Sequence, residues 1–192
     1  MKKEMLIDDL ANKGWFYQDN FFDPIFCSEL LEEARHLDWK QAKVGKGTQK
    51  QEALSIRNDS IFWIDDSLAT PLQQNYLKKM NDLMQSLNKE LFLGLREFEC
   101  HFARYDAYGF YKKHLDQHQG TQARVISTVL YLNSPSKGGE LAIYSRENPE
   151  QIEMTIAPKA GTFVCFLSNQ IYHEVLATEG ERFSLTGWFR TL

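Results

Sequence analysis

The sequence predicts a mainly β protein preceded by α-helices, because its hydrophobic pattern changes near residue 96. Before that point apolar residues recur every three or four positions, which is typical of amphipathic helices. After it, short apolar or alternating runs are separated by turn residues, which is typical of strands. Eight short strands at such spacing favour a sandwich or barrel of the jelly-roll type. At 192 residues the chain is long enough for one domain with a buried core.

Three helices are predicted in the first half. Residues 6–11 carry apolar side chains at helical spacing, and Gly14 is a plausible stop. Asp23 followed by Pro24 supplies a cap and a first-turn proline for the second helix. Pro71 opens the third and longest helix, in which apolar residues continue at spacings of three and four.

The strands are predicted from the runs that follow. They are 97–105, 110–116, 124–132, 140–144, 152–157, 162–167, 171–176 and 182–190. A further short strand is expected at 15–17, and the polar segment 41–53, which contains two glycines, is expected to be a loop. The predicted architecture is a double-stranded β-helix with the helices packed against one sheet. In such a fold the second and seventh runs can approach each other despite their separation in sequence.

Composition excludes several classes of partner. A net charge of −4 and a pI near 5.8 provide no basic surface for nucleic acid. No apolar stretch is long enough to span a membrane, and the amino end does not read as a signal peptide. Three widely spaced cysteines, an odd number, favour a reducing compartment over a disulfide framework. We therefore expect a cytoplasmic protein with neither a nucleic-acid nor a membrane partner.

A candidate metal site consists of His114, Asp116 and His173. Alternate side chains of a strand point the same way, so His114 and Asp116 would project together. Two imidazoles and one carboxylate are the set that holds Fe(II) on one face and leaves the opposite positions open. His118 lies four residues after His114, so in a helix the two would share a face and suggest a zinc site. However, the flanking residues alternate as in a strand, and the glutamate of the His-Glu-x-x-His protease motif is absent. We interpret His118 as surface or pocket rim.

Arg182 is the candidate anchor for an anionic ligand. It shares one face of its predicted strand with Ser184, Thr186 and Trp188. A polar row ending in tryptophan suits the inner wall of a pocket better than open solvent. A guanidinium group binds a carboxylate through two hydrogen bonds and stays charged, so we interpret Arg182 as a carboxylate clamp.

Several spaced motifs point to one family. They are Ala103-Arg104-Tyr105, residues 111–116, residues 128–133, Gly138-Gly139-Glu140-Leu141, His173-Glu174-Val175 and residues 182–188, with residues 56–59 and 62–64 upstream. On these motifs the chain resembles the prolyl-hydroxylase branch of the 2-oxoglutarate/Fe(II) dioxygenases, closest to the intracellular oxygen-sensing type and its bacterial relatives. The resemblance covers nearly the whole chain in order. It implies one dioxygenase domain, 1–192, with 1–96 as helical support and substrate-side segment and 97–192 as the jelly-roll catalytic core.

The resemblance also implies a role for each candidate residue. The metal ligands would be His114, Asp116 and His173. The residues that hold or line the cosubstrate would be Arg182, Tyr131, Tyr105 and Thr186. The residues that bear on substrate entry would be Arg57 and Asp59. Segment 41–54 would be a mobile lid over the site.

The implied reaction is hydroxylation of an unactivated C–H bond by Fe(II), 2-oxoglutarate and O2, with release of succinate and CO2. Ascorbate is a further candidate cofactor. The first choice of substrate is a prolyl residue of an intracellular protein or peptide, and a small molecule such as a free amino acid is the alternative within the family. A hypothesis from another class is a metal-binding jelly roll that acts as a sensor without oxygenase activity. Arg182 and Tyr131 favour the enzyme, because a simple metal module needs no buried carboxylate clamp.

Overall fold

The computed structural model describes residues 2–42, 55–117 and 123–191. The helices in these ranges are α1 (Lys2–Lys13), α2 (Pro24–Arg35) and α3 (Pro71–Leu91). The strands are β1 (Trp15–Gln18), β2 (Lys40–Gln41), β3 (Ser60–Trp63), β4 (Glu97–Tyr105), β5 (Tyr111–His114), β6 (Arg124–Tyr131), β7 (Leu141–Tyr144), β8 (Ile152–Ile156), β9 (Phe163–Leu167), β10 (His173–Val175) and β11 (Arg182–Arg190). Strands β4 to β11 correspond to the eight predicted runs, and β1 to the predicted strand at 15–17. Strands β2 and β3 are additional.

Two antiparallel sheets form the body of the protein. One has seven strands in the order β1-β9-β6-β11-β4-β3-β2, and the other has four in the order β5-β10-β7-β8. Along the second half of the chain, β4, β6, β9 and β11 enter the large sheet, while β5, β7, β8 and β10 enter the small one. This alternation is that of a double-stranded β-helix, and it confirms the predicted fold.

The helices cover one face of the large sheet. Leu10 of α1, Leu30 of α2 and Met80 of α3 are buried in one cluster with Phe102 of β4 and Leu130 of β6. Burying apolar side chains of this size stabilises the fold by roughly 1.5–3 kcal/mol each. In the described part of the chain, the helices are too short or too polar to cross a membrane.

Helix ends follow the signals in the sequence. The Asp23 side chain accepts a hydrogen bond from the backbone N–H of Ile25 at 2.9 Å, and Pro24 lies in the first turn of α2. Helix α1 ends directly before Gly14, whose φ of +83° belongs to the left-handed region that favours glycine. A Cβ atom there would also lie 3.2 Å from the side chain of Ile171, so glycine allows the helix end to approach the sheet.

A second core fills the space between the two sheets. It contains Val129 of β6, Phe166 of β9, Leu141 and Ile143 of β7 and Val175 of β10, all buried. Both inner faces therefore contribute side chains, as expected for packed sheets. Four of these residues, Val129, Leu141, Phe166 and Val175, also border a cavity that opens into this layer.

One of the predicted strand boundaries that differ from the structure affects the candidate site. The run 110–116 is a strand only over Tyr111–His114, and Asp116 lies in the bend that follows. Strand β5 is an edge strand with β10 as its neighbour. Beyond it the backbone turns so that the Gln117 N–H donates to the carbonyl of Ser168 at 3.2 Å. The proximity of His114 and Asp116 thus results from a turn rather than from strand alternation.

We expect the substitution Leu30→Ala to lower the free energy of unfolding by about 2–5 kcal/mol, because it leaves a cavity in the helix–sheet core. Leu30 is fully buried, whereas Leu68 is 82% exposed. The same substitution at Leu68 is the matched control and should change stability by less than about 0.5 kcal/mol. Urea unfolding followed by circular dichroism measures both. Equal losses for the two variants would contradict the assigned packing of α2.

Candidate active site

Three side chains from neighbouring segments meet at one point. His114 ends β5, His173 begins β10, and the two residues are register partners in the small sheet. Nε2 of His114 lies 3.4 Å from Oδ1 of Asp116, and Nε2 of His173 lies 3.6 Å from Oδ2. The three candidate ligand atoms all lie within 4.8 Å of one another, so this group could hold a metal ion. Asp116 and His173 are buried and His114 is half-buried.

Backbone carbonyl groups orient both imidazole rings. Nδ1 of His114 is 2.6 Å from the carbonyl oxygen of Lys112, and Nδ1 of His173 is 3.2 Å from that of Ile171. Because a carbonyl oxygen only accepts, each Nδ1 carries the hydrogen. In the neutral ring Nε2 then offers its lone pair. This is the arrangement in which histidine binds metals.

The charge states at the site also suit a metal. Burial by itself would raise the pKa of Asp116, but His173 and then His114 hold it well below its usual range. Burial and then the nearby His114 lower the pKa of His173 to about 4. At neutral pH Asp116 is therefore ionised and His173 is neutral, which are the forms that coordinate a cation. Two imidazoles and a carboxylate fit a divalent ion such as Fe(II) and leave coordination positions open.

A stack of side chains supports His114. The ring of Tyr111 lies parallel to the imidazole, with 3.5 Å between centroids and 17° between planes. The Cζ atom of Arg57 lies 4.3 Å from the Tyr111 ring centroid. Arg57 donates two hydrogen bonds, of 2.6 and 2.5 Å, to the buried carboxylate of Asp59. The two predicted substrate-side residues are thus a closed ion pair linked to the metal site through Tyr111, a residue to which sequence analysis assigned no role.

Arg182 is a buried cation that forms no ion pair with an acidic side chain in the described ranges. Only 2% of the residue is exposed, and Nε has no hydrogen-bond partner in the described part of the chain. Its Cζ atom lies 4.9 Å from the ring centroid of Tyr105 and 4.8 Å from that of Tyr131. Burial raises the pKa of Tyr131 and the guanidinium opposes that rise, but the hydroxyl completes no hydrogen bond of acceptable geometry. Since a buried unpaired charge is strongly unfavourable, these residues fit a carboxylate ligand.

Glycine provides the space for Arg182. Gly139, in the turn before β7, has a φ of +75°, and a Cβ atom on it would lie 3.0 Å from Cδ of Arg182. At Gly138, with the same φ, an added Cβ would lie 2.3 Å from the carbonyl oxygen of Ala177. The glycine pair therefore lets the turn approach both the guanidinium side chain and the chain beyond β10.

A cavity of about 480 Å³ connects these groups. The predicted site residues in its wall are His114, Asp116, His173, Arg182, Tyr105, Thr186, Arg57 and Asp59. Tyr131, the remaining predicted residue, does not line the cavity and reaches the site through its contact with Arg182. The volume lies within the usual range for small-molecule sites.

Aromatic residues form another part of the wall, and of these sequence analysis placed only Trp188 on a pocket wall. The ring centroid of His101 lies 4.8 Å from that of Trp63 and 5.4 Å from that of Trp188. The Cζ atom of Arg124 lies 3.6 Å from the centroid of Trp188. Burial, followed by nearby guanidinium groups, lowers the pKa of His101 to about 3, so its ring is neutral. Sequence analysis assigned His101 no role in the site; its register partner in β11 is the pocket residue Thr186, a pairing that no local signal contains.

Two predictions fall outside the residues that the structure describes. One is the interpretation of His118 as surface or pocket rim. The other is the mobile lid at 41–54, of which 43–54 lie outside the described ranges.

Comparisons with known proteins agree on one family. Residues 100–190 match the 2OG-Fe(II) oxygenase superfamily. A prolyl-4-hydroxylase from Pseudomonas putida is 38% identical, with 99% of each chain covered and a TM-score of 0.86. A prolyl hydroxylase from Trichoplax adhaerens, solved with a hypoxia inducible factor peptide fragment, is 22% identical over 98% of this chain and 89% of its own, with a TM-score of 0.83. The α-ketoglutarate-dependent epimerase SnoN, from nogalamycin biosynthesis, has the same fold at 16% identity, 99% and 81% coverage and a TM-score of 0.71.

We expect Asp116→Ala to lower the affinity for a divalent metal by more than about 100-fold, since loss of an outer-shell partner alone weakens metal binding 10- to 100-fold. Asp106, which is exposed and pairs with Arg104, provides the control Asp106→Ala. Calorimetric titration with Co(II), which is stable in air, measures both variants. Wild-type affinity in Asp116→Ala, or an equal loss in the control, would remove Asp116 from the ligand set.

Proposed function

Because the chain belongs to the 2-oxoglutarate/Fe(II) oxygenase superfamily and is therefore a dioxygenase that uses Fe(II), 2-oxoglutarate and O2, we propose that it hydroxylates a prolyl residue of a protein or peptide. Bound iron supplies the oxidising chemistry, in which 2-oxoglutarate is converted to succinate and CO2. The observation that carries the proposal is the likeness over the full length to the Pseudomonas putida prolyl-4-hydroxylase. The protein's own part is to bind, orient and shield the reactants.

We assign the iron to Nε2 of His114, the carboxylate of Asp116 and Nε2 of His173. The support is the 4.8 Å grouping of these atoms and the backbone acceptors that direct both Nε2 lone pairs away from Nδ1. The parallel ring of Tyr111 restricts rotation of His114. The ligand set is thereby oriented before metal arrives.

We assign Arg182 and Tyr131 to the C5 carboxylate of 2-oxoglutarate, with Tyr105 and Thr186 as walls of its pocket. The support is the buried guanidinium of Arg182, which is 2% exposed and whose Nε has no hydrogen-bond partner among the described residues, beside a phenol that completes no hydrogen bond there. A carboxylate ligand would satisfy both groups, through charge-assisted hydrogen bonds that are stronger than neutral ones. The keto acid end of the same molecule would then be directed along the cavity toward the metal ligands.

The charge pattern of the cavity supports a peptidyl substrate over a free amino acid. Arg57 is already paired with Asp59, and Arg124 with Glu99 at 2.9 Å. A free amino acid would require a further cation for its own carboxylate, and the remaining lysine of the wall, Lys40, is exposed. A prolyl residue within a peptide has neutral amides on both sides and needs no such partner.

We further propose that residues 1–192 act as one domain, in which 97–192 carry the catalytic residues and 1–96 provide helical support and the substrate-side pair Arg57 and Asp59. A cytoplasmic location is also proposed. It is supported by three buried cysteines, all with free thiols.

The clamp assignment predicts a graded series of cosubstrate affinities. Truncating one member of a buried charge pair costs about 2–5 kcal/mol, so Arg182→Ala should weaken 2-oxoglutarate binding roughly 30- to several-thousand-fold. Tyr131→Phe removes one hydrogen bond to a charged group, worth about 1.5–3 kcal/mol, or roughly 10- to 150-fold. Arg182→Lys should be intermediate, because ammonium keeps the charge and loses the planar fork.

Calorimetric titration of 2-oxoglutarate into zinc-loaded protein measures this series, and a separate metal titration should show unchanged metal affinity. The exposed Arg146 provides the control Arg146→Ala, which should bind 2-oxoglutarate like the wild type. Wild-type affinity in Arg182→Ala would show that the carboxylate is bound elsewhere.

The prolyl assignment predicts a covalent product. Incubation of a host lysate with Fe(II), 2-oxoglutarate and the enzyme should add one oxygen atom to a proline of a specific protein, detected by peptide mass spectrometry. Asp116→Ala protein is the control and should add none. A synthetic peptide around that proline should be hydroxylated with one succinate released per product, and free L-proline should not. Hydroxylation of free amino acids with no prolyl product would contradict the proposal.

A further inference from the structure

A compact ion cluster adjoins the aromatic part of the cavity wall. Nε of Arg124 donates to Glu99 at 2.9 Å, and Arg190 donates to the other oxygen of the same carboxylate at 3.0 Å. Arg190 is also 3.5 Å from a carboxylate oxygen of Glu97. The cluster thus contains two guanidinium groups and two carboxylates, and its charges sum to zero.

The fold holds this cluster against the cavity. Glu99 in β4 is the register partner of Trp188 in β11, and Arg124 in β6 is the partner of Arg190 in β11. The Cζ atom of Arg124 lies 3.6 Å from the Trp188 ring centroid, and both residues line the cavity, whereas Glu99 does not. Arg124 therefore lines the ligand space, while the carboxylate that neutralises it lies outside the cavity lining.

The same cavity contains a second guanidinium, that of Arg182, whose surroundings differ from those of Arg124. Arg182 is buried and its Nε has no partner in the described ranges, which suits it to take up a carboxylate. Arg124 is 24% exposed at its side chain and already paired with Glu99. A carboxylate that approaches Arg124 meets both an occupied hydrogen-bonding edge and a like charge close behind it. The two arginines thus differ in their acidic partner rather than in residue type.

We propose that Glu99 is a specificity-determining residue that, by pairing with Arg124, excludes free carboxylates from the substrate part of the cavity and reserves it for neutral amide groups. This inference rests on the proposed function, since it names the chemical form in which the prolyl ring is accepted. Rejecting a competitor through an unfavourable charge is an effective route to specificity. Without the Glu99 charge, Arg124 would become a second carboxylate clamp beside the Trp188 ring.

Two small probes test the inference: N-acetyl-L-proline, which ends in a carboxylate, and N-acetyl-L-prolinamide, which ends in a neutral amide. Their dissociation constants are measured by NMR titration into protein saturated with zinc and 2-oxoglutarate, which needs no turnover. The wild type should prefer the amide. Glu99→Gln should shift the ratio of the two constants toward the carboxylate by about tenfold, equal to about 1.4 kcal/mol. Added salt should reduce that gain.

Matched variants separate this role from a merely structural one. Glu97→Gln removes a carboxylate from the same cluster without touching Arg124, so it should keep the wild-type ratio. The double variant Glu99→Gln/Arg124→Met should lose the gained carboxylate binding. If Glu99→Gln does not fold, Arg124→Met can be tested on its own. This variant leaves the cluster with an excess negative charge, so it should shift the ratio of the two dissociation constants further toward the amide.

An unchanged ratio in Glu99→Gln, an equal shift in Glu97→Gln, or no carboxylate binding by Glu99→Gln would each overturn the inference. For Arg124→Met, an unchanged ratio or a shift toward the carboxylate would do the same. The proposed function is judged separately by turnover. A shifted ratio without hydroxylation of any prolyl peptide would leave Glu99 as a charge filter in an enzyme with another substrate.

Discussion

The pairing of β10 with β5 places His173 opposite His114, and the candidate active site is arranged around that register. A slip of one residue would move a histidine to the other face of the small sheet and separate the ligand atoms. The bend after β5 adds Asp116, and backbone carbonyls fix both rings. Because these constraints come from the main chain, the ligand geometry is established by the fold itself and does not depend on flexible side chains.

Charge pairing divides the cavity into chemically distinct parts. Arg57 is bound by Asp59 and Arg124 by Glu99, while Arg182 forms no ion pair with an acidic side chain in the part of the chain that the structure describes. A buried cation without an acidic partner is unfavourable and becomes favourable when an anion binds, which is the basis for proposing Arg182 as the carboxylate clamp. The neutral pairs Arg57–Asp59 and Arg124–Glu99 offer no net charge to an anion. They leave an aromatic, uncharged part of the wall for the remaining ligand.

The large sheet supports both parts of the cavity, because its two faces have different roles. One face packs on the helices through residues such as Leu30 and Met80, and the other carries Arg182, Thr186 and His101 toward the cavity. Close packing behind a strand limits its movement, and it holds the polar residues on the inner face at defined positions. The glycine pair before β7 also helps to position Arg182, because a side chain at Gly139 would contact the Arg182 side chain closely.

The helices and the eight strands of the second half were predictable from sequence, because apolar period and caps are local properties. The residues of the candidate metal group were also predictable, from their chemical types and spacing. Short elements such as β2 and β3, and the end of β5 before Asp116, were not, since their hydrogen bonds go to distant strands. The sequence by itself determined which groups could bind iron and a carboxylate. Only the tertiary structure decided that Arg124 is neutralised by Glu99 while Arg182 has no acidic partner among the described residues, because a pairing between residues of different strands depends on register, which no local pattern records.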